Sequence, residues 1–360
     1  MSVMTMVYLL EYSIFDCFRT GVLRRIICVI PFLNGLHTQI MKDRRVRVLP
    51  VPFSVLIFPL VIQCLQCIPS VFTALMRTAF WFVWLYVMYA HIAGKTHEEI
   101  REIYVRFAWV FVLVHTAGSL YAWNKLSGNR DWMGMYDNRN MTVSLSMSSA
   151  VLCLFLRERS PGLSGILMGI DLLLAFRTGS RMAAILSIVL LIALLCEKPR
   201  LIPIMCALLP ISACMPMPAS WSRLICDGSS AGLFRDTWQI GIRLFLEKPL
   251  LGHGMHTSYY YTFVENPGGW GWGTHNSWLV ILLENGIIGA ACYVIFFTAV
   301  FRKIRSGLKD GLLRTWYRNC LVLLVMTAVN AVSESFLFSP GNVMSLPFWF
   351  TVLCICEDPA

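Results

Sequence analysis

A chain of 360 residues that is 57% hydrophobic and only 14% charged, with a mean hydropathy of +0.64, is not an ordinary soluble globule and reads as a polytopic membrane protein. The formal net charge of +10 does not argue for a nucleic-acid partner here, because basic residues in such a chain first set the orientation of the spans. The expected fold is all-α, one polytopic membrane domain over 1–360 with about 10–12 transmembrane helices and one large outward loop.

Taken in order, the first residues lack a basic region followed by a small-residue cleavage site, so no removable signal peptide is expected. Glu11, Asp16, Arg19, Arg24 and Arg25 interrupt the apolar character of 1–45, which accommodates two short spans or one span and an interfacial helix. Apolar runs then predict spans at 51–72, 79–93, 105–123, 142–156, 163–176, 183–196, 201–217, 276–301, 320–337 and 346–356. Lys and Arg concentrate in alternate loops, at 42–47, 95–106, 157–159, 198–200 and 302–318, which marks that side as cytoplasmic. The opposite loops, including 218–274, then face outward. Most of the thirteen cysteines, such as Cys153, Cys292 and Cys354, fall inside apolar runs, where Cys acts as a small hydrophobe. Cys64-x-x-Cys67 is therefore not expected to be a redox pair.

Three outward segments carry polar chemistry: 124–140, the tight turn 177–181, and 218–274. In the last, 233–245 has the spacing of an amphipathic surface helix, stopped by Glu247-Lys248-Pro249. It is followed by an aromatic set that includes Tyr259, Tyr260, Tyr261, Phe263, Trp270 and Trp272, suited to stacking on sugars or to an interfacial belt. Thr274, His275 and Asn276 then lead into the long helix 275–301, with Asn276 as a cap for its first N–H groups. At about 100° per residue, Gly286 lies about 20° and Gly289 about 40° from His275 around a continuous helix. That stripe predicts close approach by a neighbouring helix.

Arg181, between two apolar runs, has a planar fork suited to a phosphate or pyrophosphate, or it is a membrane-end anchor. Arg177 offers the same choice. Arg235, with Trp238 after it, lies on the amphipathic helix. His275 is either structural or, as a neutral imidazole, a base for a hydroxyl. His253, His256 and His275 invite a zinc reading, but no carboxylate or cysteine is placed to complete it, so no metal is expected. Asp171 and Glu284 are single acids in apolar runs. Glu284 lies across the helix from His275, whereas Glu334, in Ser333-Glu334-Ser335, is placed to join the site.

Together these residues resemble the O-antigen ligase and polymerase superfamily of bacterial envelope glycosyltransferases. The likeness is strongest from Thr178 onward. It rests on His275-Asn276 with Gly286 and Gly289, on Arg235 to Trp238, on Pro249-Leu250-Leu251-Gly252-His253-Gly254, on Thr178-Gly179-Ser180-Arg181 and, more weakly, on the segment from Gly134 to Asn140. Modest length and a short last span depart from the family pattern.

The resemblance implies a metal-independent, inverting transfer on a GT-C-like helical scaffold at the periplasmic face of the inner membrane, with no cofactor. It implies a glycan donor on undecaprenyl pyrophosphate and a lipid A-core or lipid-linked glycan acceptor. His275, Arg235 and Arg181 would be catalytic. Arg177, Asn276, Trp238, Glu334, Tyr260 and Trp272 would bind substrate, and Gly252, Gly254, Gly286 and Gly289 would shape the site. A ligase is favoured over a polymerase by the regular histidine signature. A lipid-linked glycan flippase is the reading from another class, and it would put weight on Asp171 and Glu284 instead.

Overall fold

The computed structural model describes residues 50–57, 59, 61, 81–123, 132–136, 138–197, 229–254, 274–338 and 342–358. The span expected at 201–217, most of 51–72, the N-terminal 1–45, Cys64, Cys67, His256 and the aromatic set from Tyr259 to Trp272 lie outside them. Among the described residues the fold is all-α, with no strand. The helices are α1 (Val51–Ser54), α2 (His97–Tyr121), α3 (Arg139–Leu156), α4 (Pro161–Arg177), α5 (Arg181–Glu197), α6 (Ser229–Glu247), α7 (Ser277–Gly307), α8 (Arg314–Asn330) and α9 (Leu346–Glu357). Helical residues 81–89 and a single 3-10 turn, Gly134–Tyr136, add to these. Of the described helices, α2, α3 and α7 are long and apolar enough to cross a membrane.

The chain divides into two compact units. One comprises 105–228 and 319–330. Its centre is α3, in which every residue from Thr142 to Leu156 is buried, as expected of a helix surrounded on all sides. Hydroxyls on α3 bond to three of its neighbours. Ser149 donates to Asp171 of α4 at 2.5 Å, Ser146 lies 2.9 Å from His115 of α2, and Ser144 accepts from Asn330 of α8 at 2.6 Å. Thr116 takes the other Asp171 oxygen at 2.8 Å. In lipid, where apolar surface gains little by leaving its solvent, small residues and such bonds hold helices together. Asp171 thus has a bland account as interhelical glue.

The other unit comprises 1–104, 229–318 and 331–360. Its core gathers around the fully buried Trp349 of α9, with Trp81 at 5.3 Å, Phe348 at 5.3 Å, Phe296 at 6.0 Å and Phe338 at 6.0 Å between ring centroids. The short last span is therefore no loose end: all of Leu346 to Cys356 is buried. Two predicted boundaries move. The run 320–337 is helical only to Asn330, because the following carbonyls are turned towards the start of α7. The helix expected to end at 301 continues to Gly307, carrying Arg302 and Lys303 past the apolar run.

Candidate functional site

The residues expected to carry chemistry sit in both units. In the first, the expected tight turn joins α4 to α5. Gly179 has φ +64°, a conformation glycine takes without strain. Thr178 Oγ donates to Ala175 C=O at 2.7 Å and accepts from Ser180 N–H at 3.1 Å. Arg181 is therefore placed at the first position of α5, half-buried. Arg177, in the last turn of α4, donates from Nη2 to Trp123 C=O at 2.9 Å and lies 3.8 Å over the Trp123 indole. That pairing gives it a local anchoring role beside its expected substrate role. Asn138 caps α3 by accepting from Asn140 N–H at 2.9 Å and Met141 N–H at 3.2 Å.

In the second unit, Asn276 is the cap that the sequence predicts. Its side chain accepts from Trp278 N–H and Leu279 N–H, each at 3.0 Å. His275 lies outside the helix and has φ +47°, the one non-glycine residue with positive φ among those described. Histidine tolerates this region better than most residues, yet the conformation still costs on the order of 1 kcal/mol. The imidazole Nδ1 lies 3.5 Å from Glu334 Oε2, with both side chains largely buried. The distance is within ion-pair reach and longer than a formed hydrogen bond; contacts of this kind commonly tighten when substrate is bound.

Trp238 is half-buried on α6, where Thr237, Gly241 and Leu244 form the face turned to α7. A Cβ at Gly241 would meet Leu279 and Thr274, so α6 is held close to the residues flanking His275. Ile242 and Leu246, on the far side of α6, are exposed at 47% and 66%. Arg235 is on α6; its side chain, like Tyr260 and Trp272, lies outside what is described.

The glycines act differently from expectation. Gly286 has φ +63° and breaks α7, so the continuous-helix stripe does not exist. What approaches there is the backbone of the Pro249 to Gly254 turn rather than a neighbouring helix. Ile287 N–H donates to Pro249 C=O at 2.8 Å and Ile288 N–H to Leu250 C=O at 3.2 Å. Leu283 C=O and Glu284 C=O accept in turn from His253 N–H at 2.9 Å and Gly254 N–H at 3.0 Å. Two ladder bonds of an unbroken helix are thus exchanged for four to the turn, which pairs the N–H groups of Ile287 and Ile288 and the carbonyls of Leu283 and Glu284. Gly252, at φ +73°, faces the same joint, and Gly254 has φ +92°. Gly289 has another role: a Cβ there would meet the side chain of Asn285 on its own helix. His253 commits Nε2 to Leu244 C=O at 2.6 Å, which ties the turn to α6 and explains this histidine without a metal.

The imidazole and the backbone strain at position 275 are separable by substitution. His275→Gly and His275→Ala both remove the imidazole, but only glycine takes φ +47° freely. The expected result is a glycine variant about 1 kcal/mol more stable than the alanine variant, read as the difference between their thermal unfolding midpoints in detergent.

No curated protein matches the chain. Residues 145–294 match the family described as O-antigen ligase. The matched stretch runs from the middle of α3 through the turn at Arg181, α6 and the Gly252 joint to the first half of α7 beyond Gly286 and Gly289; Glu334 falls after it. Such a family acts in general on lipid-linked glycans as ligase or polymerase. Over that stretch the chain is similar to the O-antigen ligase family, and its helices α2, α3 and α7 are long and apolar enough to cross a membrane.

Proposed function

We propose that this protein is an O-antigen ligase-type glycosyltransferase. It moves a glycan from undecaprenyl pyrophosphate to a hydroxyl of a lipid A-core acceptor at the periplasmic face of the bacterial inner membrane. The observation that carries this reading is the placement of His275, inside the stretch that matches the family, ahead of the capped start of α7, with Glu334, which follows that stretch, 3.5 Å from its Nδ1.

In the proposed reaction His275 Nε2 takes the proton of the acceptor hydroxyl as the acceptor oxygen bonds to C1 of the donor sugar. The C1–O bond to the pyrophosphate breaks on the opposite face, so the anomeric centre inverts and undecaprenyl pyrophosphate leaves. Glu334 balances the charge on the imidazolium, which changes its expected role from holding substrate to supporting the base. Arg181 and Arg235, on the resemblance, hold the pyrophosphate and stabilise the charge that develops as it departs. No metal or cofactor enters this scheme.

The test is a lipopolysaccharide gel profile of a deletion strain complemented with wild type, His275→Ala, Arg181→Ala or Arg235→Ala at matched membrane levels. The expected result is a normal ladder with wild type only, and a core bare of glycan with each variant while lipid-linked polymer accumulates. Core carrying a single repeat identifies a polymerase instead. Normal ladders from all three variants, with Asp171→Asn defective, would move the assignment to a lipid-linked glycan transporter.

A further inference from the structure

Ser277 is the first residue of α7 and is 1% exposed. Its N–H, one of the donors that a helix start leaves open, lies 2.8 Å from Ala331 C=O and 3.2 Å from Glu334 C=O. Its hydroxyl donates to the same Glu334 C=O at 2.6 Å and accepts from Leu337 N–H at 3.2 Å. One serine therefore holds the non-helical 331–337 course against the start of α7. That course carries the Glu334 carboxylate, and His275 stands two residues before Ser277. Both members of the 3.5 Å contact are thus tethered to the same side chain.

We propose that Ser277 is a positioning residue of the site: by fixing Glu334 at the Nδ1 edge of His275 it keeps the ring proton on Nδ1 and leaves Nε2 as the acceptor for a substrate hydroxyl. This rests on the reading of His275 as the base. A neutral imidazole has one proton for two nitrogens, and the partner of one nitrogen decides which carries it. The contact is already at the outer limit for holding that proton, so a small drift of 331–337 releases it. Without the hydroxyl, Glu334 C=O loses a donor and Leu337 N–H loses its acceptor, and the segment is freed to drift.

The experiment uses the full chain in lipid nanodiscs with 15N-labelled histidine. Seven histidines are present, and the His275 signals are assigned by their loss in His275→Gln. Wild type is expected to show Nδ1 protonated and Nε2 unprotonated at neutral pH. Ser277→Ala is expected to give a mixture of tautomers, and Ser277→Thr, which keeps an oxygen at that position, to restore the wild-type pattern. Glu334→Ala, which removes the carboxylate and leaves the Ser277 bonds to main-chain groups in place, covers the case in which Ser277→Ala fails to fold and should also lose the single tautomer. Glycan transfer by Ser277→Ala is expected to fall roughly 10- to 100-fold in kcat with little change in donor KM, as misplacement by about 1 Å costs, and to recover in Ser277→Thr. An unchanged tautomer in Ser277→Ala, or in Glu334→Ala, overturns the inference. A tautomer change accompanied by normal transfer from His275→Gln overturns the base reading and leaves the Ser277 contact standing.

Discussion

Gly286→Ala is expected to destabilise the protein by about 4 kcal/mol, and Gly252→Ala by a comparable amount. The two glycines face each other's backbones across one joint. A Cβ on Gly286 would fall on Leu250 C=O and Leu251 N–H, and a Cβ on Gly252 on the carbonyl of Glu284 and the N–H of Asn285. Backbone does not yield as a side chain does. Each residue also has a positive φ, +63° and +73°, which costs a non-glycine roughly 1 kcal/mol by itself. The larger part of the loss comes from the four bonds across the joint, since forcing it apart leaves their donors and acceptors unpaired away from water, at about 1–3 kcal/mol each where no substitute is found.

Gly289→Ala is the control. Its Cβ would meet that of the buried Asn285 on its own helix, a contact no rotamer change relieves. Its expected cost is that of overpacking alone, about 1–3 kcal/mol, with no positive φ and no bond across the joint to lose. Thermal unfolding of the three variants in detergent separates the two mechanisms. Equal losses at 286 and 289 would restore the helix-stripe reading.

Asp358→Ala is expected to cost about 3 kcal/mol. Asp358 is 1% exposed, and its Oδ2 accepts from Tyr317 Oη at 2.8 Å and lies 2.7 Å from His97 Nδ1. The alanine leaves both groups without an acceptor. Lys303 is bound instead to the main-chain oxygens of Cys356 and Asp358, at 2.8 and 2.9 Å, and keeps those bonds. Asp358→Asn retains one acceptor oxygen, so its expected cost is about half. The distinction is measurable as two unfolding midpoints on the same side of wild type. A wild-type midpoint for Asp358→Ala would show that the end of α9 contributes nothing to the unit.

The sequence made the helical class and the Asn276 cap legible, because composition and a polar residue before an apolar run report on local physics. The Arg181 turn was legible for the same reason, through Gly179. The Gly286 break was not. Its spacing from His275 fits a continuous helix as well as a broken one, and the partner that pairs across the break is a turn thirty or more positions earlier in the chain. The same holds for α9, whose twelve residues are too few for a full span but suffice for a buried helix. Ser277 carries no signal in the sequence, since a serine after a cap is ordinary until the course of 331–337 is known. Glu334 was picked out as near the site, but its orientation towards His275 Nδ1 depends on that same course.

The most direct measurement of the central claim is glycan transfer by purified protein in liposomes, with an undecaprenyl-pyrophosphate-linked donor and a lipid A-core acceptor. Wild type is to be compared with His275→Ala, and donor binding followed separately. The account predicts a fall in kcat of about 10³-fold for the variant, within the range of general-base catalysis, with donor binding retained. Transfer by His275→Ala at the wild-type rate would contradict it.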